Sequence, residues 1–107
     1  MFTRLVSLTF KPGQAKQALE LINETVLPML GKQVGFMDAS IFVSTNDPNR
    51  ALAQSFWYSQ EDVERFNRDQ YPKIREMMKN MLLFPPGVET YEVTASTIHR
   101  ITSRKAA

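Results

Sequence analysis

The side chains of this sequence that could do chemistry are few, and most of them are aromatic. Trp57 stands at the end of a short alternating segment, and Tyr71 lies in a helical segment. Phe36 and Phe42 share one face of a predicted strand with Asp38. A pocket lined by aromatic rings and a few polar groups suits a flat organic molecule. These five residues are candidates for such a pocket, although large aromatics near strand ends also commonly belong to the core.

Metal, hydrolytic and nucleotide chemistry have little support in the sequence. It contains no cysteine and one histidine, His99, for which we expect a surface position in the C-terminal tail. Imidazole and thiolate are the usual ligands of transition metals, and a Ser-His-Asp triad needs a histidine base. The four glycines stand at the ends of predicted elements, where turns explain them. We therefore expect no metal, no cofactor and no glycine-rich nucleotide loop.

Composition indicates one globular domain. The chain has 107 residues, with 43% hydrophobic and 22% charged residues, and no apolar run long enough to cross a bilayer. The N-terminus lacks the features of a signal peptide, and the absence of cysteine makes a cytoplasmic location the default. The net charge of +2 comes mainly from the basic tail, which is weak evidence for nucleic acid. We expect neither a membrane nor a nucleic-acid partner.

The hydrophobic pattern predicts the order strand–helix–strand twice. Strands are predicted at 2–10, 36–44, 51–58 and 88–97, where residues alternate between two faces. In the first strand Val6 and Leu8 lie on the apolar face, with Arg4 near its open end. Alternation does not decide which face of the third strand meets the helices.

Two amphipathic helices connect these strands. Pro28 should kink or end the first near Leu27, and Pro72 interrupts the second. Ser59 followed by Asp62 resembles a capping box at the start of the second helix.

These elements predict an α+β fold, the ferredoxin-like βαββαβ arrangement, with a four-stranded antiparallel sheet and two helices on one face. The other face is too apolar to remain in water, so something should cover it. We expect the domain to span residues 1–97. The tail, 98–107, is expected to form an extra edge strand or a swapped arm, with mobile last residues. An RNA-recognition motif shares this element order, but the strands lack its glycine and stacking aromatics.

The segments KPGQAKQALELINETVLPML followed by GF, and SFWYSQEDVERF followed by YPKI, resemble the antibiotic biosynthesis monooxygenase-like domain of the dimeric α+β barrel superfamily. The resemblance covers roughly residues 2–97 and rests on element order, the Trp-x-Ser before the second helix, and the glycine-aromatic start of the second strand. It implies a homodimer that packs its open sheet faces together, and a pocket in each chain between sheet and helices.

What the resemblance implies for function is broader. Some members oxidise aromatic polyketides with O₂ and no cofactor, whereas others degrade haem, process signalling molecules or have no known activity. Trp57 matches the family tryptophan that lines the pocket in several enzymes. The histidine that a haem-degrading member presents on the second helix is absent here. Tyr71, Asn67 or Ser7 would hydrogen-bond the oxygens of a phenolic substrate.

Three interpretations remain open at this point. The first is a homodimer that binds a small organic ligand and acts as a cofactor-independent monooxygenase on an aromatic or polyketide-like substrate. The second is a non-catalytic ligand-binding or accessory module. The third is a dimer whose sheets pack fully and leave no pocket.

Overall fold

The computed structural model describes residues 1–101, and the predicted ferredoxin-like βαββαβ order is confirmed. The strands form one antiparallel four-stranded sheet in the order β2-β3-β1-β4. Their bounds are β1 Phe2–Thr9, β2 Phe36–Val43, β3 Arg50–Trp57 and β4 Gly87–Glu92. The central strands β1 and β3 pair along their whole length, so residues of β1 have neighbours on both sides.

Each of the two predicted helices is divided by its proline. The first consists of α1, a π-helical turn and α2, and the second of α3, α4 and a short 3₁₀ turn. Their bounds are α1 Ala15–Leu21, π-turn Ile22–Val26, α2 Leu27–Gly31, α3 Gln60–Asp69, α4 Tyr71–Met78 and 3₁₀ turn Lys79–Met81. Both interrupted helices lie on the same side of the sheet and bury their apolar stripes against it.

The π-turn is the response of the first helix to Pro28. A proline inside a helix has no N–H to donate, and its ring collides with the carbonyl four residues earlier. Here the Leu27 N–H bonds to the Ile22 carbonyl, which is one residue further back than in an α-helix. The helix therefore continues past the proline after one wide turn.

The start of α3 is fixed by the predicted cap. The Ser59 hydroxyl oxygen accepts the Asp62 N–H at 3.2 Å, and the hydroxyl donates to the Asp62 carboxylate at 2.8 Å. Gly35 lies directly against this cap with a φ of 83°, and a Cβ atom there would overlap the Asp62 carboxylate. Only glycine satisfies both the backbone conformation and the close approach.

The structure also answers which face of β3 meets the helices. Ala51, Ala53, Ser55 and Trp57 point toward them, because they share the face of Val6 through the β1–β3 register. Small side chains on this face leave room for the helices and for a cavity. The residues of the core cluster are Val6, Leu8, Phe10, Ala18, Ile22, Val26, Leu30, Ala51, Trp57, Val63, Phe66, Ile74, Met78 and Leu82.

The opposite face of the sheet carries exposed apolar side chains. Phe42, Leu52 and Tyr91 are 48%, 45% and 44% exposed there. β4 ends at Glu92, earlier than the predicted residue 97, because after it the chain makes only single backbone contacts, such as Val93 N–H to the Met1 carbonyl at 3.0 Å. The expectations for residues 102–107 lie outside the described part. Within residues 1–101, none of the helices has both the length and the apolar character needed to span a membrane.

Candidate functional site

A buried arginine is the unusual feature of the inner face. Arg4 of β1 points toward the helices and is 4% exposed. Its Nε donates to Asn67 Oδ1 at 2.7 Å, but its Nη2 has no hydrogen-bond partner within residues 1–101. No acidic side chain of this part of the chain forms an ion pair with it. A buried charge without a partner is expensive, so such an atom calls for an explanation.

Tyr71 is the second unpartnered group. Pro72 separates α4 from α3, and the new helix begins at Tyr71 with the ring directed to the Arg4 side chain. The Arg4 guanidinium lies over this ring, 4.3 Å from its centroid. The Tyr71 hydroxyl is buried and, in the described part of the chain, makes no hydrogen bond.

The protonation states of these two groups follow from their burial. Desolvation lowers the pKa of Arg4 to about 10, opposed by the adjacent Tyr71. Desolvation raises the pKa of Tyr71, opposed by the charges of Arg4 and Arg75. At neutral pH Arg4 is therefore a cation and Tyr71 a neutral phenol. Both groups can donate a hydrogen bond, and among residues 1–101 neither Arg4 Nη2 nor the Tyr71 hydroxyl has a partner in good hydrogen-bond geometry, although the two side chains lie close enough to affect each other's pKa.

These donors line a cavity between the sheet and the helices. Its volume is about 50 Å³, and its walls are mostly apolar side chains from β1, β2, β3 and both helices. The polar side chains on its walls are Arg4, Gln54, Ser55, Tyr71 and Arg75. Within residues 1–101 its lining contains no Asp, Glu, His, Lys or Cys. The surface of the cavity is thus almost entirely apolar, and Arg4 and Tyr71 in its wall are the groups that could meet a ligand oxygen carrying negative charge.

Aromatic rings support the arginine from behind. The Arg4 guanidinium lies 5.0 Å from the Phe66 ring centroid, and Phe66 packs on Trp57 with centroids 5.1 Å apart. Trp57 is fully buried, donates its Nε1–H to Ser55 Oγ at 2.9 Å, and meets Phe36 edge-on at 5.6 Å. Trp57 does not itself line the cavity; it packs against Phe66, which does.

The sequence-predicted site residues fall into three groups. Tyr71 lines the cavity and Asn67 binds the arginine beside it. Trp57 and Phe36 lie one layer behind the cavity wall. The prediction that Phe36 shares a face with Asp38 and Phe42 is wrong, because a bulge in β2 between Phe36 and Asp38 shifts the alternation and turns Phe36 to the inner face. The remaining candidates, Ser7, Asp38 and Phe42, lie on the opposite, open face of the sheet.

On that open face Asp38 has a partner from the tail. His99 Nε2 lies 2.7 Å from Asp38 Oδ2, and the histidine ring packs on Phe56 with centroids 4.4 Å apart. The His99 side chain is only 11% exposed. His99 therefore lies on the open face of the sheet, as a surface position would have it, but it contacts Asp38 and Phe56 there, and the Ser96–Ile101 bridge closes the segment that carries it.

Sequence reasoning did not assign Arg4 to the site. Its signal was present: Arg4 alternates in phase with Val6 and Leu8, which places a charge on the face that the helices cover. A charged residue in phase with the core of a central strand is rare unless it is paired or has a function.

For metals, residues 1–101 contain no group of three or more His, Cys, Asp or Glu side chains placed to hold an ion.

The fold and the inner cavity together define a ferredoxin-like α+β domain with a cavity between sheet and helices. The family model described as antibiotic biosynthesis monooxygenase matches residues 1–80. The chain belongs to this family, as the resemblance indicated.

Solved structures are similar to the chain over most of its length. An antibiotic biosynthesis monooxygenase homologue from Nitrosomonas europaea has 17% identity and a TM-score of 0.75, over 89% of this chain and all of its own. A protein of unknown function from the same organism has 18% identity and a TM-score of 0.77, over 90% and 91%. The monooxygenase ActVA-Orf6 of Streptomyces coelicolor, solved with nanaomycin D, has 20% identity and a TM-score of 0.73, over 89% and 88%. At these identities the likeness shows the fold. Among curated proteins, none matches the sequence.

Proposed function

We propose that this protein is a homodimer that binds a small aromatic, polyketide-like molecule and oxidises it with O₂ as a cofactor-independent monooxygenase. The observation that carries the proposal is the pair of donors, Arg4 Nη2 and the Tyr71 hydroxyl, which have no hydrogen-bond partner within residues 1–101 and belong to a cavity wall whose described residues include no carboxylate. A phenol or enol oxygen of the substrate would accept from both.

Arg4 would supply the electrostatic part of catalysis. A cation in an apolar site stabilises the phenolate form of a bound phenol and so lowers its pKa. The phenolate passes one electron to O₂, and recombination of the two radicals forms a carbon–oxygen bond at a ring carbon that carries hydrogen. Cleavage of the O–O bond then leaves one oxygen in the quinone and releases the other as water. The hydrogens of that water come from the substrate O–H and C–H.

The size of the cavity adds a requirement. A dry apolar cavity of about 150 Å³ accommodates benzene in another protein, whereas the cavity here is about 50 Å³. A substrate ring would therefore have to displace part of the wall. Ile22 and Val26 of the π-turn lie on that wall, and π-turns are frequently found at functional sites. The similar fold of the monooxygenase of Streptomyces coelicolor, solved with the ligand nanaomycin D, is in keeping with a small-molecule ligand.

The decisive experiment measures oxygen uptake with a panel of naphthols and quinols. Tyr71→Phe and Arg4→Lys should each lower the rate by about tenfold to a thousandfold, since each removes or displaces one donor to the developing charge. Tyr58→Phe is the matched control, because Tyr58 is 68% exposed. If wild-type protein consumed no more oxygen than Arg4→Lys with any panel member, oxidation would be wrong.

One observation favours the second candidate, a ligand-binding module without turnover. Among the described residues, the cavity wall holds no side chain that ordinarily accepts a proton near neutral pH. Calorimetric binding of a naphthol without any oxygen uptake would support this candidate.

The homodimer is supported by the open face of the sheet. Phe42, Leu52 and Tyr91 are each exposed by more than two fifths on that face. Two such faces packed together should bury roughly 800 Å² on each partner. Light scattering at micromolar concentration should give the mass of two chains, and the mass of one chain would contradict the dimer.

A further inference from the structure

A second concavity lies outside the cavity, beside the last turn of α4. It is a groove of about 420 Å³ between α4 and the segment 82–86, which follows the 3₁₀ turn. Arg75 and Pro86 line both the groove and the inner cavity, so these two residues form the boundary between them. We call this concavity the outer groove.

The walls of the outer groove are strongly apolar on one side. Leu83 and Phe84 are 50% and 59% exposed, and two prolines follow them. Pro86 is partly buried at the boundary with the cavity. Exposed large apolar side chains next to the entrance of a pocket are typical of a ligand-contacting surface.

The other side of the groove carries a free positive charge. Lys79 is paired with Glu76 at 2.7 Å, which leaves the groove with the charge of Arg75. Arg75 forms no ion pair with any acidic residue in the described range 1–101. Its guanidinium lies 5.7 Å from the centroid of the Tyr71 ring, which also contacts Arg4 and Phe66. Tyr71 thus lies near both arginines.

We propose that the outer groove is the distal subsite of the same ligand, and that the ligand is an aromatic phenol with a short apolar arm that ends in a carboxylate. The inference rests on the proposed function, because the phenolic ring would enter the inner cavity. The arm would lie on Leu83 and Phe84, and its carboxylate would bind Arg75 in the bidentate manner typical of arginine.

The volumes favour this division of the ligand. The inner cavity, at about 50 Å³, accepts the ring system only where its wall moves and leaves no room for an arm, whereas the groove offers about 420 Å³ directly beside it. A ligand that uses both would be held at one end by Arg4 and at the other by Arg75. Arg75 would then determine specificity and leave the chemical step to the inner site.

Three matched probes test the inference by calorimetry on the full chain: a naphthol, its propyl derivative and its carboxyethyl derivative. Wild-type protein should bind the carboxyethyl compound at least about tenfold more tightly than the naphthol, as expected for a charge-assisted contact of about 1.4 kcal/mol. Arg75→Gln should remove most of this ratio, and Phe84→Ser should reduce the advantage of the propyl compound. Arg68→Gln is the matched control, because Arg68 is an exposed arginine of α3 paired with Asp69 at 2.9 Å.

The outcomes separate the two proposals. Equal affinity for the three probes would leave the proposed function standing and overturn the distal subsite. Failure of all three to bind would contradict both. If Arg75→Gln weakened all probes by the same factor, Arg75 would serve only the inner site and the inference would be wrong. A lower mass of Phe84→Ser in light scattering would identify the groove as a contact between copies, which also overturns it.

Discussion

On the inner face of the sheet Arg4 is buried without an acidic partner, whereas on the open face Asp38 is paired with His99 at 2.7 Å. Arg4 is 4% exposed and keeps one guanidinium nitrogen unbonded within residues 1–101. The Asp38 side chain is 49% exposed and is still bonded. Arg4 is therefore the more deeply buried of the two groups and has no acidic partner within residues 1–101, whereas the more exposed Asp38 has a histidine partner.

This difference distinguishes the candidate binding site at Arg4 from the Asp38–His99 contact, which only joins two parts of the chain. A contact of an exposed carboxylate, such as that of Asp38 with His99, changes stability little, because water solvates the carboxylate anyway. A buried unpaired charge lowers stability, and the chain recovers this loss only when an anion or an electron-rich oxygen binds. In the proposed function, the inner face binds a ligand and the open face contacts a second copy of the chain.

The largest expected effect concerns the aromatic support of the inner face. Trp57→Ala removes a side chain with no exposed surface and should lower the free energy of unfolding by about 3–5 kcal/mol. Leu52→Ala, on the open face, should cost less than about 1 kcal/mol at a protein concentration low enough to keep single chains, because Leu52 is 45% exposed in one chain. Urea denaturation at one protein concentration measures both. Equal losses would show that the open face is as tightly packed as the inner one.

Arg4→Met tests whether the buried charge is kept for a ligand. Removing an unpaired buried charge for an apolar side chain of similar length should raise the free energy of unfolding by about 1–2 kcal/mol. The same change should weaken naphthol binding by about tenfold to a hundredfold, because a charge-assisted hydrogen bond is lost. Thermal denaturation and calorimetry on one sample give both values. A variant that is less stable and binds normally would make Arg4 a structural residue.

The order of elements could be predicted because each strand carries its own alternation and each helix its own stripe. The π-turn could not, since Pro28 permits either an end or a widened turn, and packing against the sheet decides between them. The sequence also left undecided which face of β3 meets the helices, because Leu52 and Phe56 make one face as apolar as Ala53 and Trp57 make the other.

The candidate site was predictable only in part. Tyr71 and Asn67 carry recognisable chemistry, and both lie beside the cavity. Their meeting with Arg4 depends on how α3 and α4 pack across β1, which no local pattern encodes. The pairing of Asp38 with His99 depends likewise on the path of the tail.

A charge placed in the middle of the open face tests whether that face contacts a second copy. Leu52→Asp should weaken the proposed dimer by at least about tenfold, because a carboxylate would have to be desolvated at the interface. Lys16→Asp is the control, since Lys16 is an exposed residue of α1 on the other side of the molecule. Analytical ultracentrifugation over a concentration series measures the dissociation constant. An unchanged constant would place the contact elsewhere.

The smallest effect is expected at the contact between His99 and the Asp38 carboxylate on the open face. His99→Ala removes the contact with Asp38 and the packing on Phe56, and should lower the free energy of unfolding by about 0.5–1 kcal/mol. Because the pair lies on the other face from the cavity, the affinity for a naphthol should stay within about twofold, as for independent sites. Limited proteolysis should cut the tail of the variant faster than that of the wild type. If ligand affinity instead fell as far as in Arg4→Met, the two faces would be coupled, and the separation between a binding face and a contact face would not hold.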